Sequence, residues 1–166
     1  MEELKPIGID AGGTEPLKIA VMDLVNRFPG LNGQVIAYQG LGENSGISVE
    51  PESGTLVYAE ATDILGTTRQ ACQYPFVVVY RSGGTSEYQK MSVTRFLDDL
   101  GAWLCREPVT IDGADYRMFA FPDVSAGRKI TGIVRFNTYA LEKNENQTQD
   151  WVLPVIVNYT HEFQKW

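Results

Sequence analysis

The segment from Tyr74 to Arg106, YPFVVVYRSGGTSEYQKMSVTRFLDDLGAWLCR, determines the predicted fold. It begins with Phe76 to Tyr80, a run of aromatic and β-branched residues that suits a central strand covered on both faces. After the break at Ser82-Gly83-Gly84, apolar residues recur at intervals of three and four from Val93 to Leu104, as on one face of a helix. A buried strand that leads into an amphipathic helix predicts a domain of two layers.

The N-terminal part predicts an arm followed by a first helix. Residues 1–13 are expected to form an extended arm that ends in the flexible pair Gly12-Gly13. Thr14-Glu15-Pro16 is typical of a helix start, because proline suits the first helical position. Apolar residues recur at helical spacing as far as Phe28, and Pro29-Gly30 ends the helix. This helix is expected to pack beside the second one, on one face of the sheet.

Strand patterns occur before and after the second predicted helix. Before the second helix they cover 33–41, 47–50, 56–64 and 67–81. After it they cover 109–111, 116–121, 130–141 and 151–163. The pair joined around Leu65-Gly66 is the clearest hairpin, and its polar outer half is expected to project beyond the core. Pro154 predicts an edge or a bulge in the last strand.

These elements predict a single α+β domain over residues 1–166. Two main helices are expected on one face of an antiparallel sheet, with long projecting β-hairpins at 56–74 and 137–155. The length fits one domain, and neither an internal repeat nor a composition break indicates a second.

The composition limits the classes of function. The chain has a net charge of −7 and a pI near 4.7, which argues against a nucleic-acid-binding groove. Neither a transmembrane span nor a secretory signal is visible, so no membrane partner is expected. Cys72 and Cys105 are expected to be reduced thiols.

The segment Ile7-Gly8-Ile9-Asp10-Ala11-Gly12-Gly13-Thr14 is the most suggestive motif for chemistry. It resembles the first phosphate loop of sugar kinases and related actin-like ATPases, in which an aspartate and paired glycines hold metal and phosphate. That loop needs a returning strand after the threonine, whereas the pattern of residues 17–28 predicts a helix. A hinge at Gly12-Gly13 is the favoured interpretation. Nucleotide binding through Asp10, Gly12 and Gly13 stays an alternative.

Other residue types give no catalytic, cofactor-binding or metal-binding assignment. His161 is the single histidine, and neither cysteine has a CxxC partner. The pair Asp98-Asp99 is predicted on the solvated face of the second helix, with Arg95 one turn before Asp99. The chain is therefore expected not to be an enzyme and to need no cofactor.

Several features occur in a defined order along the chain. They are a first helix ended by Pro29-Gly30, GISVEPESG at 46–54, a long hairpin leading into YPFVVVYR at 74–81, SVTRFLDDLGAWL at 92–104, and YTHEF at 159–163. Over most of residues 16–163 this order resembles bacteriophage tail terminators. More broadly it is similar to the minor capsid or tail-completion (neck) proteins of tailed phages of Gram-positive hosts. The GIDAGGT segment has no counterpart in that pattern.

The resemblance implies a structural virion protein made in the bacterial host cytoplasm. Such a protein assembles as a hexameric ring that caps the last tail-tube ring, stops tail growth and faces the head connector. Its implied partners are other copies of itself, the tail-tube protein and the head-completion or connector protein. DNA would pass through the lumen without specific binding, and an acidic lumen would repel its phosphates. Another neck or head-closure component, or a tail-tube-like subunit, is the main alternative.

Overall fold

The computed structural model describes residues 4–83 and 86–166, so residues 1–3 of the predicted arm and Gly84 of the predicted turn lie outside it. Two helices are present in this part, α1 (Thr14–Val25) and α2 (Glu87–Leu104). The strands are β1 (Gly8–Ile9), β2 (Ile36–Tyr38), β3 (Gly46–Pro51), β4 (Leu56–Thr62), β5 (Thr67–Ser82), β6 (Val109–Ile111), β7 (Ala114–Tyr116), β8 (Arg128–Arg135), β9 (Tyr139–Ala140) and β10 (Gln149–Gln164).

One large sheet is organised around the long pair β5 and β10. These strands are antiparallel and pair from Thr67–Gln164 to Ser82–Gln149. The main strand order is β1-β4-β5-β10-β8, with β3 beside the second half of β5 and β9 beside β10. Only β2, which pairs with β3, is parallel to its neighbour among the described strands. β6 and β7 form a separate small hairpin.

Both helices cover the same face of this sheet. That face carries buried Tyr74, Phe76 and Val78 of β5 and, opposite them, buried Val157, Val155 and Leu153 of β10. Every second residue of a strand points to the same side, so one register brings all six to the core. The buried stripe of α1 runs from Leu17 to Val25 and that of α2 from Val93 to Leu104. The predicted α+β class, with two helices on one face of the sheet, is confirmed.

Aromatic side chains join the two helices to β5. Phe28, just after α1, contacts Phe96 of α2 edge to face, with ring centroids 5.6 Å apart. Phe96 also contacts Tyr80 of β5, at 5.3 Å. Edge-to-face geometry places the positive ring edge on the negative face of its partner, which adds about 0.5–1.5 kcal/mol per pair to area burial. The central strand and second helix of the sequence are therefore packed directly together.

Helix α2 begins six residues before its predicted apolar stripe. Ser86 adopts extended backbone angles, and its Oγ accepts a hydrogen bond from the backbone N–H of Gln89 at 3.2 Å. This N-cap satisfies one of the donors that a helix start leaves unpaired. The first turn of α2 is largely polar, so the apolar periodicity from Val93 does not mark where the helix begins. Neither described helix combines the length and hydropathy that a membrane span requires.

The predicted strand at 116–121 is wrong beyond Tyr116. β7 ends at Tyr116, and the carbonyls of Met118 and Phe119 instead accept hydrogen bonds from the Arg106 guanidinium. A side chain from the end of α2 thus takes the acceptors that a strand ladder would have used. Alternating residue types could not reveal this partner.

The predicted strand at 130–141 is two strands, β8 and β9, separated by residues 136–138. Arg135 turns back to α2, where its Nη2 donates to Asp98 Oδ1 at 2.9 Å. Thr138 Oγ1 donates to the same carboxylate oxygen at 3.1 Å. The strand is interrupted because this stretch bends toward helix α2.

Pro154, predicted at an edge or a bulge, lies in the interior of the sheet at a gap in the pairing of β10. On one side it faces Val77 of β5. On the other side, β10 pairs with β9 before Pro154 and with β8 after it, so Pro154 itself has no paired residue there. Its carbonyl accepts a hydrogen bond from the Phe136 N–H at 3.0 Å. A proline is tolerated where no partner strand requires its missing N–H.

The hairpin predicted at 56–81 is confirmed and forms the base of a projecting structure. β4, β5 and the end of β10 continue past the core as three strands, here called the arm (residues 59–71 and 160–166). Cys72 is the residue of β5 in the hydrophobic core that lies nearest the turn. Six residues separate it from the turn, a distance of roughly 20 Å along the strand. The connection before β10 folds back instead, since Asn146 Nδ2 donates to the Glu43 carbonyl at 3.0 Å.

Candidate functional site

The GIDAGGT segment is attached to the sheet. The Ile7 N–H donates to the Val57 carbonyl at 2.8 Å, and the Asp10 N–H donates to the Thr55 carbonyl at 3.2 Å. Residues 11–13 form a single 3-10 turn that leads directly into α1. The segment after the loop that resembles a phosphate loop is thus a helix, in agreement with the sequence pattern.

Asp10 lies at the centre of a buried polar cluster at the base of the arm. Its Oδ2 accepts hydrogen bonds from Arg128 Nε at 2.8 Å and from the Tyr159 hydroxyl at 2.6 Å. Its Oδ1 accepts from Arg128 Nη2 at 2.5 Å. The side chains of both ion-pair partners are 4% exposed. The pair joins the N-terminal segment to β8 and β10, which are more than a hundred residues away in sequence.

The backbone of Asp10 is held as firmly as its carboxylate. The Thr55 hydroxyl donates to the Asp10 carbonyl at 2.6 Å, and the Thr14 hydroxyl lies 2.9 Å from that of Thr55. The polar atoms of Asp10 therefore all have protein partners. A buried charge is tolerated when it is paired and hydrogen-bonded in this way.

The surroundings shift the pKa of each group in the cluster. Burial raises the pKa of the Asp10 carboxyl, but hydrogen bonds from Arg128 and Tyr159 outweigh this and lower it overall. The pKa of Tyr159 is raised by burial and by its bond to Asp10. Burial, with the Asp10 charge, raises the pKa of the Cys72 thiol to about 11. The carboxylate is charged and the other two groups are protonated, which suits a structural role rather than proton transfer.

His161 borders this cluster on β10. Its Nδ1 lies 3.0 Å from Gln70 Oε1 and 3.6 Å from Asp10 Oδ1, and its ring contacts Phe163. Burial lowers the pKa of the imidazole, the Arg128 charge lowers it further, and the Asp10 charge partly opposes both. The imidazole is therefore held neutral near pH 7.

The paired glycines accommodate the ion pair. A Cβ on Gly13 would lie 2.1 Å from Asp10 Oδ2 and 2.9 Å from Arg128 Nε, far inside van der Waals contact. A Cβ on Gly12 would lie 3.3 Å from Arg128 Nη2. The carboxylate thus has no open face for a metal ion or a phosphate. Asp10, Gly12 and Gly13 are close together as the phosphate-loop interpretation required, but they enclose an arginine.

The remaining candidate residues are dispersed. Asp99 lies 3.9 Å from Arg95 on α2, the predicted pair, while Asp98 binds Arg135 of β8. Cys72 is buried and Cys105 partly buried, and both are unbridged. Within 4–83 and 86–166, no three His, Cys, Asp or Glu side chains converge as they would around a metal ion.

The tip of the arm is the second distinctive region. Ile64 is 95% exposed and Leu65 is 73% exposed. Sequence reasoning expected a polar projection here and missed these two aliphatic side chains. The signal was present as Asp63-Ile64-Leu65-Gly66, an apolar pair within a turn sequence.

This turn is stabilised by hydrogen bonds within the turn itself and from the chain just after β10. Asp63 Oδ1 accepts from the N–H groups of Leu65 at 2.9 Å and Thr67 at 3.0 Å. The Lys165 N–H donates to the Gly66 carbonyl at 2.8 Å, which ties the end of β10 to the turn. Gly66 has a φ of 85°, the left-handed conformation that glycine adopts without strain. Two aliphatic side chains are thus presented rigidly to solvent, a preorganisation that lowers the entropic cost of binding.

A further apolar surface lies on the sheet face opposite the helices. Val134, Ile156 and Pro75 form a row across β8, β10 and β5, and Pro154 lies beside Val77 in the next row. All five are only partly buried or exposed. Isolated exposed apolar residues are normal, whereas contiguous ones are typical of interaction surfaces.

Comparisons with known proteins place few limits on this chain. No family model matches the sequence, and no curated protein matches it. A chain of a solved structure described as "Virion of native gene transfer agent (GTA) particle" is similar at a TM-score of 0.47 and 16% identity, over 88% of this chain and 90% of that chain. A likeness this distant does not establish a common function.

Proposed function

We propose that the chain is a structural protein of a tailed-phage virion neck, acting as the tail terminator. In this role, copies form a ring that caps the tail tube and joins it to the head connector. The observation that carries the proposal is the arm, which reaches roughly 20 Å beyond the core and ends in an ordered turn with two exposed aliphatic residues. Most of the surface of these two side chains is exposed to solvent, so the tip suits assembly with another subunit.

The chemistry of the described residues supports an assembly role over an enzymatic one. The cluster that gathers charged and titratable groups, around Asp10, is closed and fully hydrogen-bonded. An active site needs groups that can reach a substrate. The negative net charge of −7 is compatible with a ring through which DNA passes without adhering.

The direct test is the control of tail-tube length. Tail-tube protein is assembled in vitro with and without the purified chain, and tube lengths are measured by electron microscopy. Capped tubes of limited length, with this protein at one end, are the expected result. Unchanged tube growth with no protein at the tube ends would exclude a terminator.

A position elsewhere in the neck is the second candidate, because the same arm would serve a head-closure or tube-like subunit equally well. Images of assembled particles with the chain labelled would distinguish them. Contact with the last tube ring supports the terminator, and contact only with the head connector supports head closure. Titration calorimetry with ATP and magnesium tests the nucleotide alternative, for which the enclosed Asp10 carboxylate predicts no heat of binding.

A further inference from the structure

Apolar residues make up about half of the lining of a groove beside the beginning of β8. Its volume is about 760 Å³, and the apolar part of its lining comprises Phe119, Ala120, Phe121, Pro122, Val124 and Ile130. The Phe119 side chain is 82% exposed, and Phe121 is partly buried. An exposed phenylalanine beside a second aromatic ring is a common anchor point for a partner's aliphatic side chains.

The rim of this groove is basic, although the chain as a whole is acidic. Arg106 lies over the Phe121 ring at 5.4 Å, and its guanidinium donates to backbone carbonyls. Lys129 is exposed on the same rim. Within the described residues, neither cation has a carboxylate within 4.0 Å. Asp123 is the one acid in the lining, so the rim keeps an excess of positive charge.

The tip of the arm has the complementary properties. Ile64 and Leu65 are aliphatic and exposed, and Asp63 beside them is exposed and acidic. Only Oδ1 of Asp63 accepts the turn hydrogen bonds; in the part of the chain described, Oδ2 makes none. The tip therefore presents an apolar pair next to a carboxylate oxygen that is available to a cation.

We propose that the arm tip of one copy binds in the groove of a second copy of this chain. Ile64 and Leu65 pack on Phe119 and Phe121, and Asp63 approaches the basic rim. The tip cannot fill the groove of its own chain, because the arm is a hydrogen-bonded extension of β5 and β10 that points away from the core. The contact is therefore between subunits.

The geometry of this contact determines the type of assembly. Tip and groove are different surfaces of one chain, so each copy donates its tip to one neighbour and offers its groove to another. Such a heterologous contact repeats head to tail, and it closes into a ring when the rotation permits. The proposal deepens the proposed function and rests on it only for the closed ring.

A complementation experiment tests the contact. Leu65→Asp damages the tip, Phe119→Asp damages the groove, and Val35→Asp is a control at another exposed aliphatic residue. Each variant is examined by circular dichroism for folding and by sedimentation velocity for association. Losing an aliphatic anchor should weaken association by about tenfold or more, and the control should associate as the wild type does.

Mixing the two damaged variants is the decisive step. The intact tip of Phe119→Asp fits the intact groove of Leu65→Asp, so the mixture should form a complex of two chains and no larger species. Folded variants that associate like the wild type, or a mixture that stays monomeric when the wild type associates, would overturn the proposal. Should the wild type be monomeric in solution, Leu65→Cys mixed with Phe119→Cys under oxidation provides the test, and absence of the crosslinked pair of chains overturns it.

This result separates the contact from the role in the virion. If complementation succeeds but tail tubes are not capped, the contact stands and the terminator function fails. If tubes are capped by chains whose tip and groove are both damaged, the ring forms through another surface and this proposal fails alone.

Discussion

The arm buries charge at its base and exposes aliphatic side chains at its tip. At the base, Asp10 and Arg128 are almost fully enclosed, yet every polar atom of Asp10 has a partner within the chain. At the tip, Ile64 is 95% exposed and Leu65 is 73% exposed, although burying them would be favourable. Buried polar groups whose hydrogen bonds are all made indicate a structural role, and exposed aliphatic side chains indicate an interaction surface. The segment that resembles a phosphate loop therefore holds the fold together, and the hairpin tip is the better functional candidate.

The largest effect on stability is expected from Asp10→Ala. The substitution leaves the Arg128 guanidinium buried without its carboxylate and the Tyr159 hydroxyl without its acceptor. The free energy of unfolding should fall by about 3–5 kcal/mol, as measured by urea denaturation. Replacing both partners, as Asp10→Leu with Arg128→Met, should be less harmful because no charge stays buried. A loss below about 1 kcal/mol in Asp10→Ala would mean that the base is not held by this pair.

Gly13→Ala is expected to have the next largest effect. Its new Cβ would collide with Asp10 Oδ2, so the free energy of unfolding should fall by about 1–3 kcal/mol, the usual cost of overpacking. Gly8→Ala is the matched control, because its Cβ meets nothing within 4 Å. Thermal unfolding of both variants gives the comparison. Equal melting temperatures would show that the glycine is not needed to accommodate the ion pair.

A smaller effect at the base depends on pH. The pKa of His161 is lowered in the folded chain from the ordinary value of 6.5, so the unfolded chain takes up this proton first. The stability contributed by neutral His161 is fully present above pH 6.5 and is lost as the pH falls through its lowered pKa. His161→Gln should abolish this part of the decline between pH 7.5 and 5 in urea denaturation. The charges that face His161 are Asp10 and Arg128, and Asp10 itself loses its contribution only below about pH 3.8.

The smallest effect on stability is expected at the tip. Ile64→Ser and Leu65→Ser alter side chains that are mostly exposed, so the free energy of unfolding of the isolated chain should change by less than about 0.5 kcal/mol. Asp63→Ala provides the contrast, because it removes the acceptor for two backbone N–H groups of the turn. Chemical denaturation at low protein concentration measures all three. A large loss in Ile64→Ser would show that the tip packs within its own chain.

Local patterns predicted the elements that depend on neighbouring residues. The apolar stripes of both helices and the 56–81 hairpin follow from periodicity and turn chemistry, and all are found. Helix α1 begins at Thr14, two residues before the predicted first helical position at Pro16, and its N-cap is Gly13. The errors occur where a distant side chain replaces a local partner. Arg106 takes the carbonyls of 118–119, and Asp98 bends the chain after β8.

The candidate sites show the same division. The sequence brought attention to Asp10 and the paired glycines, but it could not show that Arg128 and Tyr159 close over them, since those partners are more than a hundred residues away. The groove also depends on the tertiary structure, because its lining combines Arg106, which follows α2, with Phe119 and Lys129. The net charge of −7 gives no indication of the basic residues in its lining.

The α+β class, the two helices on one face and the long hairpin could be predicted from the amino-acid sequence, because they depend on periodicities of 3.6 and 2 residues within short segments. The burial of Asp10 against Arg128 and the exposure of two aliphatic side chains at the arm tip depend on the tertiary structure. Whether an aspartate or an isoleucine is buried depends on residues that are distant in sequence, so the residue type alone does not show it.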